Sequence, residues 1–451
     1  MSGRGRQLHG SVLRSFRLLV FFLIPLWFAA GAQAAEPSKL TIVTSYPPAF
    51  FEPFQKAFEQ KNRDVSITII QRNTASASRF IIEKKEQPAD MFWASAADAF
   101  ELLKRHGGLR KVHSRITGAP EKVLGYPLND PDGYYLGFAL SGYGIVYNEA
   151  YLAQYGLAPP REWQQLLQPA YSGHIGITTP SRSGTTHLMV EALLQTYGWE
   201  KGWAMLSNLG GNLSTVTARS FGVASGVAQR RFGIGITIDF LARTPSIGAN
   251  DAVFVMPSDT VFVPASIGIL SRARNVEAAE RFIDFILSEE GQRILLTPPI
   301  GRIPIIPSLN SGLLPDANAG LLKNTTFDAG LSAQRYGLVN VMFDDYIVRR
   351  RAVLARLWKR LAEFEAMNIA SPKTQSLLSR ARRSLEAPPI PDSEADRLDS
   401  TLKAEWPRRI AWSPSQVEFA ARLRGNIERK LAEAEAMIAE ISEDQGFRWR
   451  R

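Results

Sequence analysis

The chain contains no cysteine, so it has neither disulfide bridges nor the lipid-modified cysteine of a lipoprotein. It also lacks a Walker loop, an HExxH motif and a nucleophile elbow. Its five histidines, none of which pairs with another at metal-ligand spacing, are His9, His106, His113, His174 and His187. We therefore expect no metal site, no cofactor and no enzyme of the common hydrolase or nucleotide-binding classes.

Long apolar runs are also scarce, because Leu18–Ala30 is the one run that approaches the length of a membrane span. Four arginines precede it and the small-x-small sequence Ala32-Gln33-Ala34 follows it. This order predicts a secretory signal peptide over residues 1–34. A retained membrane anchor is the alternative, although the run is short for a helix of about 20 residues.

The formal net charge of +10 falls to +6 when the four arginines of the signal peptide are removed, since that segment contains no acidic residue. A moderately basic exported chain is compatible with an anionic ligand. No basic motif of a nucleic-acid-binding protein is present, and export argues against such a partner.

A short loop rich in small hydroxyl residues is the most informative motif of the chain. Thr179–His187 follows the apolar run His174–Thr178 and opens the helical pattern Leu188–Tyr197. The first turn of a helix leaves backbone N–H groups unpaired, and the helix dipole adds partial positive charge. The loop therefore suits a phosphate, phosphonate or carboxylate. An ordinary N-cap is the alternative interpretation.

The segment Lys39–His106 alternates strand and helix patterns, which is typical of a parallel sheet in an α/β domain. Ligands of such sheets bind beyond the carboxyl ends of the strands. The polar residues Ser45, Thr74 and Ser95 follow three successive predicted elements at these ends. We expect all three to contact a ligand.

Two long extended runs, Tyr135–Tyr147 and Val253–Ile269, bracket a second α/β unit and predict two chain crossings between two lobes. Glycines interrupt the first run, and Pro257 and Pro264 divide the second. Within the second unit, Asp239 ends an apolar strand. Its carboxylate can accept a hydrogen bond from a ligand hydroxyl or amine, or it can cap a helix.

Arg219 also lies in the second unit, before a helical stretch, and can form a bidentate pair with a phosphate or be a plain surface arginine. Ser183 and His187 invite a hydrolase interpretation. They lie on one loop–helix junction without an identifiable orienting acid, so we do not expect catalysis.

The sequence changes character after residue 330. Tyr336–Met367 forms one amphipathic helical pattern, and a capping box at Ser413 opens a last helix with an apolar stripe that includes Val417, Leu423 and Ile427. A coiled-coil partner is one explanation for this stripe. Packing against its own domain is the more common reason, and we favour it.

Taken together, the chain resembles the periplasmic solute-binding proteins of the ferric-iron and organophosphate branch over Lys39–Leu309. The segments that carry the resemblance are Leu40–Ser45, Ala89–Ser95, Gly137–Asn148, Pro180–Thr186, Phe232–Phe240 and Phe282–Gln292. It implies a type II periplasmic-binding-protein fold, α/β in class, with two lobes, two crossover strands and a C-terminal α-helical extension. The implied divisions are the signal peptide at 1–34, lobe 1 at 35–138 and 265–330, lobe 2 at 139–264 and the extension at 331–451.

The resemblance also implies site residues. Ser183, Gly184 and Thr185 correspond to the loop that holds an anion in that family, and Arg219 aligns with a second anion-contacting position. Ferric-binding members carry a Tyr-Tyr pair where this chain has Asp239-Phe240, so the resemblance favours a phosphorylated or phosphonate solute over iron.

The implied role is a periplasmic protein that captures a small anionic organic solute by lobe closure for a membrane ABC permease. The extension also makes the chain similar to the longer regulators of phosphoglycerate transport, so signalling to a membrane sensor kinase stays open as an alternative, as does ferric iron binding.

Overall fold

A computed structural model describes residues 37–83, 89–113, 119–123, 126–298, 300–314, 327–395, 398 and 414–446. The predicted signal peptide lies outside these residues. Its strands are β1 Ser38–Thr44, β2 Val65–Gln71, β3 Met91–Ala94, β4 Lys122–Val123, β5 Tyr126–Pro127, β6 Leu136–Asn148, β7 Ile175–Thr178, β8 Leu213–Thr217, β9 Ile234–Ile238, β10 Ala252–Val255, β11 Phe262–Ile269 and β12 Ile303–Pro304. Its helices are α1 Pro48–Lys61, α2 Thr74–Glu83, α3 Ala97–Arg105, α4 Glu149–Tyr155, α5 Gly184–Tyr197, α6 Trp199–Asn212, α7 Phe221–Ala228, α8 Asp239–Ala242, α9 Pro245–Gly248, α10 Val276–Leu287, α11 Glu289–Leu295, α12 Pro307–Asn310, α13 Ala329–Met342, α14 Arg351–Ala366, α15 Pro372–Glu386 and α16 Pro414–Asp444.

The first lobe is built on β1, β2 and β3, which pair in parallel as their alternation with helices predicts. Helix α1 begins at a Pro-Pro step and buries four phenylalanines, Phe50, Phe51, Phe54 and Phe58, at helical spacing. Because the strands are buried and parallel, the residues after β1 and β3 emerge at one edge of the sheet. We call this part, together with α10 and α11, lobe 1.

Strand β6 is the backbone of both lobes. Its first half pairs with β11 and β12, and its second half pairs with β9 and β10. The second half, with β7 and β8 and the helices α5 to α7, forms lobe 2. The type II binding-protein fold with two crossovers is thus present. The predicted lobe boundaries fall inside β6 and β11, and their positions stay a prediction.

The glycines of β6 do not break the strand, contrary to the expectation from the sequence. A Cβ atom at Gly144 would lie 2.3 Å from the carbonyl oxygen of Val255, so glycine is what admits the neighbouring strand β10. Pro264 likewise lies within β11, one residue before a register shift at Ala265 and Ser266.

The C-terminal extension, α13 to α16, packs back on the lobes. Helix α13 packs against both α3 of lobe 1 and α5 of lobe 2, whereas α14 and α15 pack on α6. Helix α16 buries Leu423 and Ile427 with the rest of its apolar stripe, mainly against α15. The stripe therefore packs within its own domain, although Val417 is exposed. In the described part of the chain, no helix combines the length and the apolar character that a membrane crossing requires.

The helical pattern Tyr336–Met367 is not one helix. A π-helical segment, Phe343–Val348, and a turn at Arg349 and Arg350 separate α13 from α14. The wider turn directs Tyr346 into the core, where its hydroxyl donates to the Leu385 carbonyl at 2.5 Å and lies 2.8 Å from Ser207 Oγ. The helix is therefore interrupted where the Tyr346 hydroxyl makes a buried polar contact, although the amphipathic pattern of the sequence is continuous there.

Candidate functional site

A cleft between the two lobes gathers the polar residues at the ends of their strands. It holds about 560 Å³ of empty space, including its opening to solvent. It is lined by Ser45, Tyr46, Pro47, Asn73, Thr74, Ser95, Arg182, Ser183, Gly184, Thr185, Arg219, Ser220, Phe221, Phe240 and Leu241.

The lobe 2 face of the cleft is the start of helix α5. Ser183 caps the helix by accepting a hydrogen bond from the Thr186 amide at 3.2 Å, and its hydroxyl lies 2.7 Å from Thr185 Oγ1. The amides of Gly184 and Thr185 belong to the first turn, which has no intrahelical acceptors. The N-cap and the anion-loop interpretations are therefore compatible, because the cap leaves these two amides for a ligand.

Two arginines add charge to this face. Arg219 is half-buried and Arg182 is exposed, and both line the cleft. The Thr217 hydroxyl fixes the Arg219 backbone by donating to its carbonyl oxygen at 2.9 Å. The predicted ligand-binding residues included Arg219 but not Arg182, although Arg182 lies within the loop itself.

The lobe 1 face presents hydroxyl groups. Ser45 follows β1, Ser95 follows β3 and Thr74 begins α2, so all three lie where the parallel sheet predicts them. Tyr46, the next residue after Ser45, also lines the cleft and stacks on Phe50 with ring centroids 3.9 Å apart. Its hydroxyl lies 2.8 Å from Ser95 Oγ.

Arg302 lies directly beneath this face and is only 1% exposed. Its Nη1 donates to the Tyr46 hydroxyl at 2.8 Å and its Nη2 donates to Ser95 Oγ at 2.5 Å. The ring of Phe240 covers the guanidinium at 4.1 Å. The sequence pattern does not predict this arginine as a site residue, since it lies in a proline-rich stretch that is typical of a loop.

Asp239 is the one predicted site residue that the cleft does not include. Its carboxylate is 2% exposed and accepts hydrogen bonds from the Gly142 amide at 3.1 Å and from the Phe240 amide at 2.7 Å. Burial raises the pKa of Asp239, while hydrogen bonds and the charge of Arg302 oppose the shift. Asp239 thus orders backbone beside the cleft, and its contact with a ligand stays a prediction.

The two faces approach each other closely at one point. A Cβ atom at Gly184 would lie 2.7 Å from Thr74 Oγ1 and 2.9 Å from Thr74 Cβ. Lobe 1 and lobe 2 are therefore in contact across the cleft, as in the closed state of a hinged binding protein. A side chain at position 184 would hold them apart.

His187 does not form a catalytic pair with Ser183. Its Nδ1 lies 3.0 Å from Asn340 Oδ1 of α13, and its Nε2 lies 3.4 Å from Asp98 Oδ2 of α3. Burial lowers the pKa of His187 to about 4 and raises that of Asp98 to about 7. The histidine therefore belongs to a buried junction of both lobes with the extension. Among the residues that the structure describes, no three His, Cys, Asp or Glu side chains group as a metal site.

Residues 86–321 match the family of bacterial extracellular solute-binding proteins, which is slightly more than half of the chain. The chain belongs to this family. The family consists of binding proteins rather than enzymes, in agreement with the absence of a catalytic arrangement at Ser183.

The phosphoglycerate transport regulatory protein PgtC of Salmonella typhimurium is 28% identical over 390 residues, which cover 86% of this chain and 95% of that protein. Among solved structures, the periplasmic binding protein AfuA of Actinobacillus pleuropneumoniae, with fructose-6-phosphate bound, has 24% identity and a TM-score of 0.60 and covers 69% of this chain and 98% of its own. The apo ferric ion-binding protein A of Pasteurella haemolytica has 17% identity and a TM-score of 0.55, with coverage of 68% and 97%. These structures establish the type II fold.

Proposed function

We propose that the protein is a periplasmic receptor that closes its two lobes over a small phosphorylated organic solute. The observation that carries the proposal is the start of α5, where Ser183, Gly184 and Thr185 face the cleft beside Arg182 and Arg219. A helix N-terminus with two guanidinium groups suits a phosphate, because the amides and the arginines together supply several charge-assisted donors. The name of PgtC mentions phosphoglycerate, and the AfuA structure has fructose-6-phosphate bound; both support this choice.

Iron is the less suitable cargo. Among the described residues that line the cleft, Tyr46 is the one tyrosine, and its hydroxyl already accepts a hydrogen bond from Arg302. A buried arginine disfavours a nearby ferric ion, since both are cations. The resemblance to ferric-binding members of the family also implies that Asp239 and Phe240 stand where those proteins carry a pair of tyrosines.

A thermal unfolding panel tests the proposal with phosphoglycerate, fructose 6-phosphate, glycerol 3-phosphate, their unphosphorylated counterparts and ferric citrate. A ligand at 100 times its Kd adds about 2.7 kcal/mol to the free energy of unfolding. We expect at least one phosphate ester to raise the melting temperature, and Arg219→Ala to abolish most of that shift. A response to ferric citrate alone would contradict the proposal.

The downstream partner is an ABC permease in the simplest form of this proposal. A membrane sensor kinase is the second candidate, favoured by the length of the similarity to PgtC. Because that similarity covers 86% of the chain, about 388 of its 451 residues, it must extend past residue 330 into the extension. Permease and ATPase genes beside this gene would favour import, whereas kinase and response-regulator genes would favour sensing.

A further inference from the structure

The buried arginine beneath lobe 1 has no counter-ion. No carboxylate lies within 4.0 Å of the Arg302 guanidinium in the described part of the chain, and its Nε has no hydrogen-bond partner there. Fully buried charges are normally paired, because an unpaired ion loses its hydration without compensation. Asp239 acts on Arg302 only through a longer-range electrostatic interaction. The folded protein thus keeps a positive charge that no carboxylate pairs at close range immediately below the cleft.

The hydrogen atoms around Arg302 can be counted. A guanidinium only donates, so the Tyr46 and Ser95 oxygens both accept from it. The two hydroxyls lie 2.8 Å apart, so one of them donates to the other. This arrangement uses one of their two protons. The second proton has no acceptor among the described residues, and both side chains line the cleft.

We propose that Tyr46, Ser95 and Arg302 form a second anion subsite, and that the ligand is a phosphorylated carboxylic acid. Its phosphate binds at the start of α5 and its carboxylate accepts the free hydroxyl proton on lobe 1. Arg302 supplies the charge from beneath, through the two hydroxyls that it orients. This inference rests on the phosphate site proposed above and adds the second charged group of the ligand.

The balance of charge at the cleft supports two anionic groups. Arg182 and Arg219 flank the phosphate site, Arg302 lies beneath the opposite face, and Asp239 is the nearby acid. A phosphomonoester carries a charge of roughly −1.5 to −2 at neutral pH. The charge of the phosphate is therefore balanced by the two arginines of lobe 2, so the charge of Arg302 can balance a carboxylate. A sugar phosphate would bring only neutral hydroxyls to that position.

Isothermal titration of the mature chain compares two probes that share a phosphate and a three-carbon backbone. 3-Phosphoglycerate has a carboxylate where glycerol 3-phosphate has a hydroxymethyl group. We expect the wild-type protein to bind 3-phosphoglycerate at least tenfold more tightly. Tyr46→Phe and Ser95→Ala each remove one hydroxyl, and each should reduce this preference about tenfold. A tenfold loss is at the lower end of what the removal of a hydrogen bond to a charged group causes. Affinity for glycerol 3-phosphate should change less than threefold.

Arg302→Gln keeps hydrogen-bond donors for both hydroxyls but removes the charge, so it should also reduce the preference. Its folding is checked by thermal unfolding. Tyr135→Phe is the matched control, since Tyr135 is another buried tyrosine of lobe 1 whose hydroxyl bonds Glu101 at 2.6 Å, outside the residues that line the cleft. This control should keep the wild-type preference.

Three results would overturn the inference. Equal wild-type affinity for the two probes would contradict the proposed carboxylate subsite but would not contradict the proposed phosphate site. An equal loss for both probes in Tyr46→Phe and Ser95→Ala would mean that these groups only support the fold. Failure of the wild-type protein to bind either probe, or any phosphate ester of the thermal panel, would reject the proposed function as well.

Discussion

Helix α5 joins the two lobes at two places that lie within one turn of each other and differ in character. Its first residues, Ser183 to Thr185, face an open cleft with positive charge and donors that lack acceptors. His187, in the same turn of the helix, is fully buried against Asp98 and Tyr336. The cleft therefore leaves interactions for a ligand to complete, whereas the junction with the extension is buried inside the protein. Mutations at the cleft should change affinity, and mutations at the junction should change stability.

Truncation of Tyr336 is expected to have the largest effect. This side chain is 1% exposed, and its ring lies 4.1 Å from the His187 ring. Tyr336→Ala should lower the free energy of unfolding by about 3–5 kcal/mol, as for other buried aromatic residues. Denaturant unfolding measures the change. Tyr336→Phe keeps the ring and should cost much less. An equal loss in both variants would mean that ring packing does not hold the junction.

A methyl group at position 184 should affect the cleft instead. Gly184→Ala places Cβ against Thr74 and prevents the close approach of the two lobes. We expect ligand affinity to fall at least tenfold, about 1.4 kcal/mol, in calorimetric titration. Gly425→Ala on α16 is the control, because a Cβ atom there meets nothing within 4 Å. It should keep full affinity. Unchanged affinity in Gly184→Ala would show that the ligand is bound without this contact.

A smaller, pH-dependent effect is expected from Glu191 on α5, close to the junction. Burial raises its pKa to about 8, while the charge of Arg335 opposes the shift. The folded state therefore keeps a proton that the unfolded state loses above about pH 4.5, and this contribution to stability disappears as the pH rises towards 8. The pKa of Asp98 is shifted in the same direction and that of His187 in the opposite direction.

Glu191→Gln cannot ionise, so its free energy of unfolding should fall less than that of the wild type between pH 5 and pH 8. One unit of pKa shift corresponds to about 1.4 kcal/mol, and the difference should reach at least that value. Parallel pH profiles for the two proteins would contradict the buried, protonated state of Glu191.

The sequence predicted the parts of the site that depend on local order. Ser45 and Ser95 follow strands whose alternation with helices is visible in the chain, and Ser183 starts a helix with a recognisable cap. Seven of the eight predicted residues line the cleft, with Asp239 beside it. These positions can be predicted from the sequence because strand ends and helix starts are determined by short segments of the chain.

The missed features depend on residues that are distant in the chain. Arg302 lies 256 positions from Tyr46, and no periodicity indicates that a proline-rich loop will bring a guanidinium under the cleft. The contact of His187 with Asn340 spans 153 positions in the same way. The π-helical segment at Phe343 is a third case, because the contacts of Tyr346 with Ser207 and Leu385 decide it rather than the amphipathic pattern of its own helix.

A crystal structure of the mature chain with 3-phosphoglycerate tests the proposed binding mode most directly. We expect the phosphate at the start of α5, within hydrogen-bond distance of the Gly184 and Thr185 amides and of Arg219. We expect the carboxylate at the hydroxyls of Tyr46 and Ser95. A ligand bound in the cleft with its phosphate away from Ser183–Thr185 would contradict the central claim.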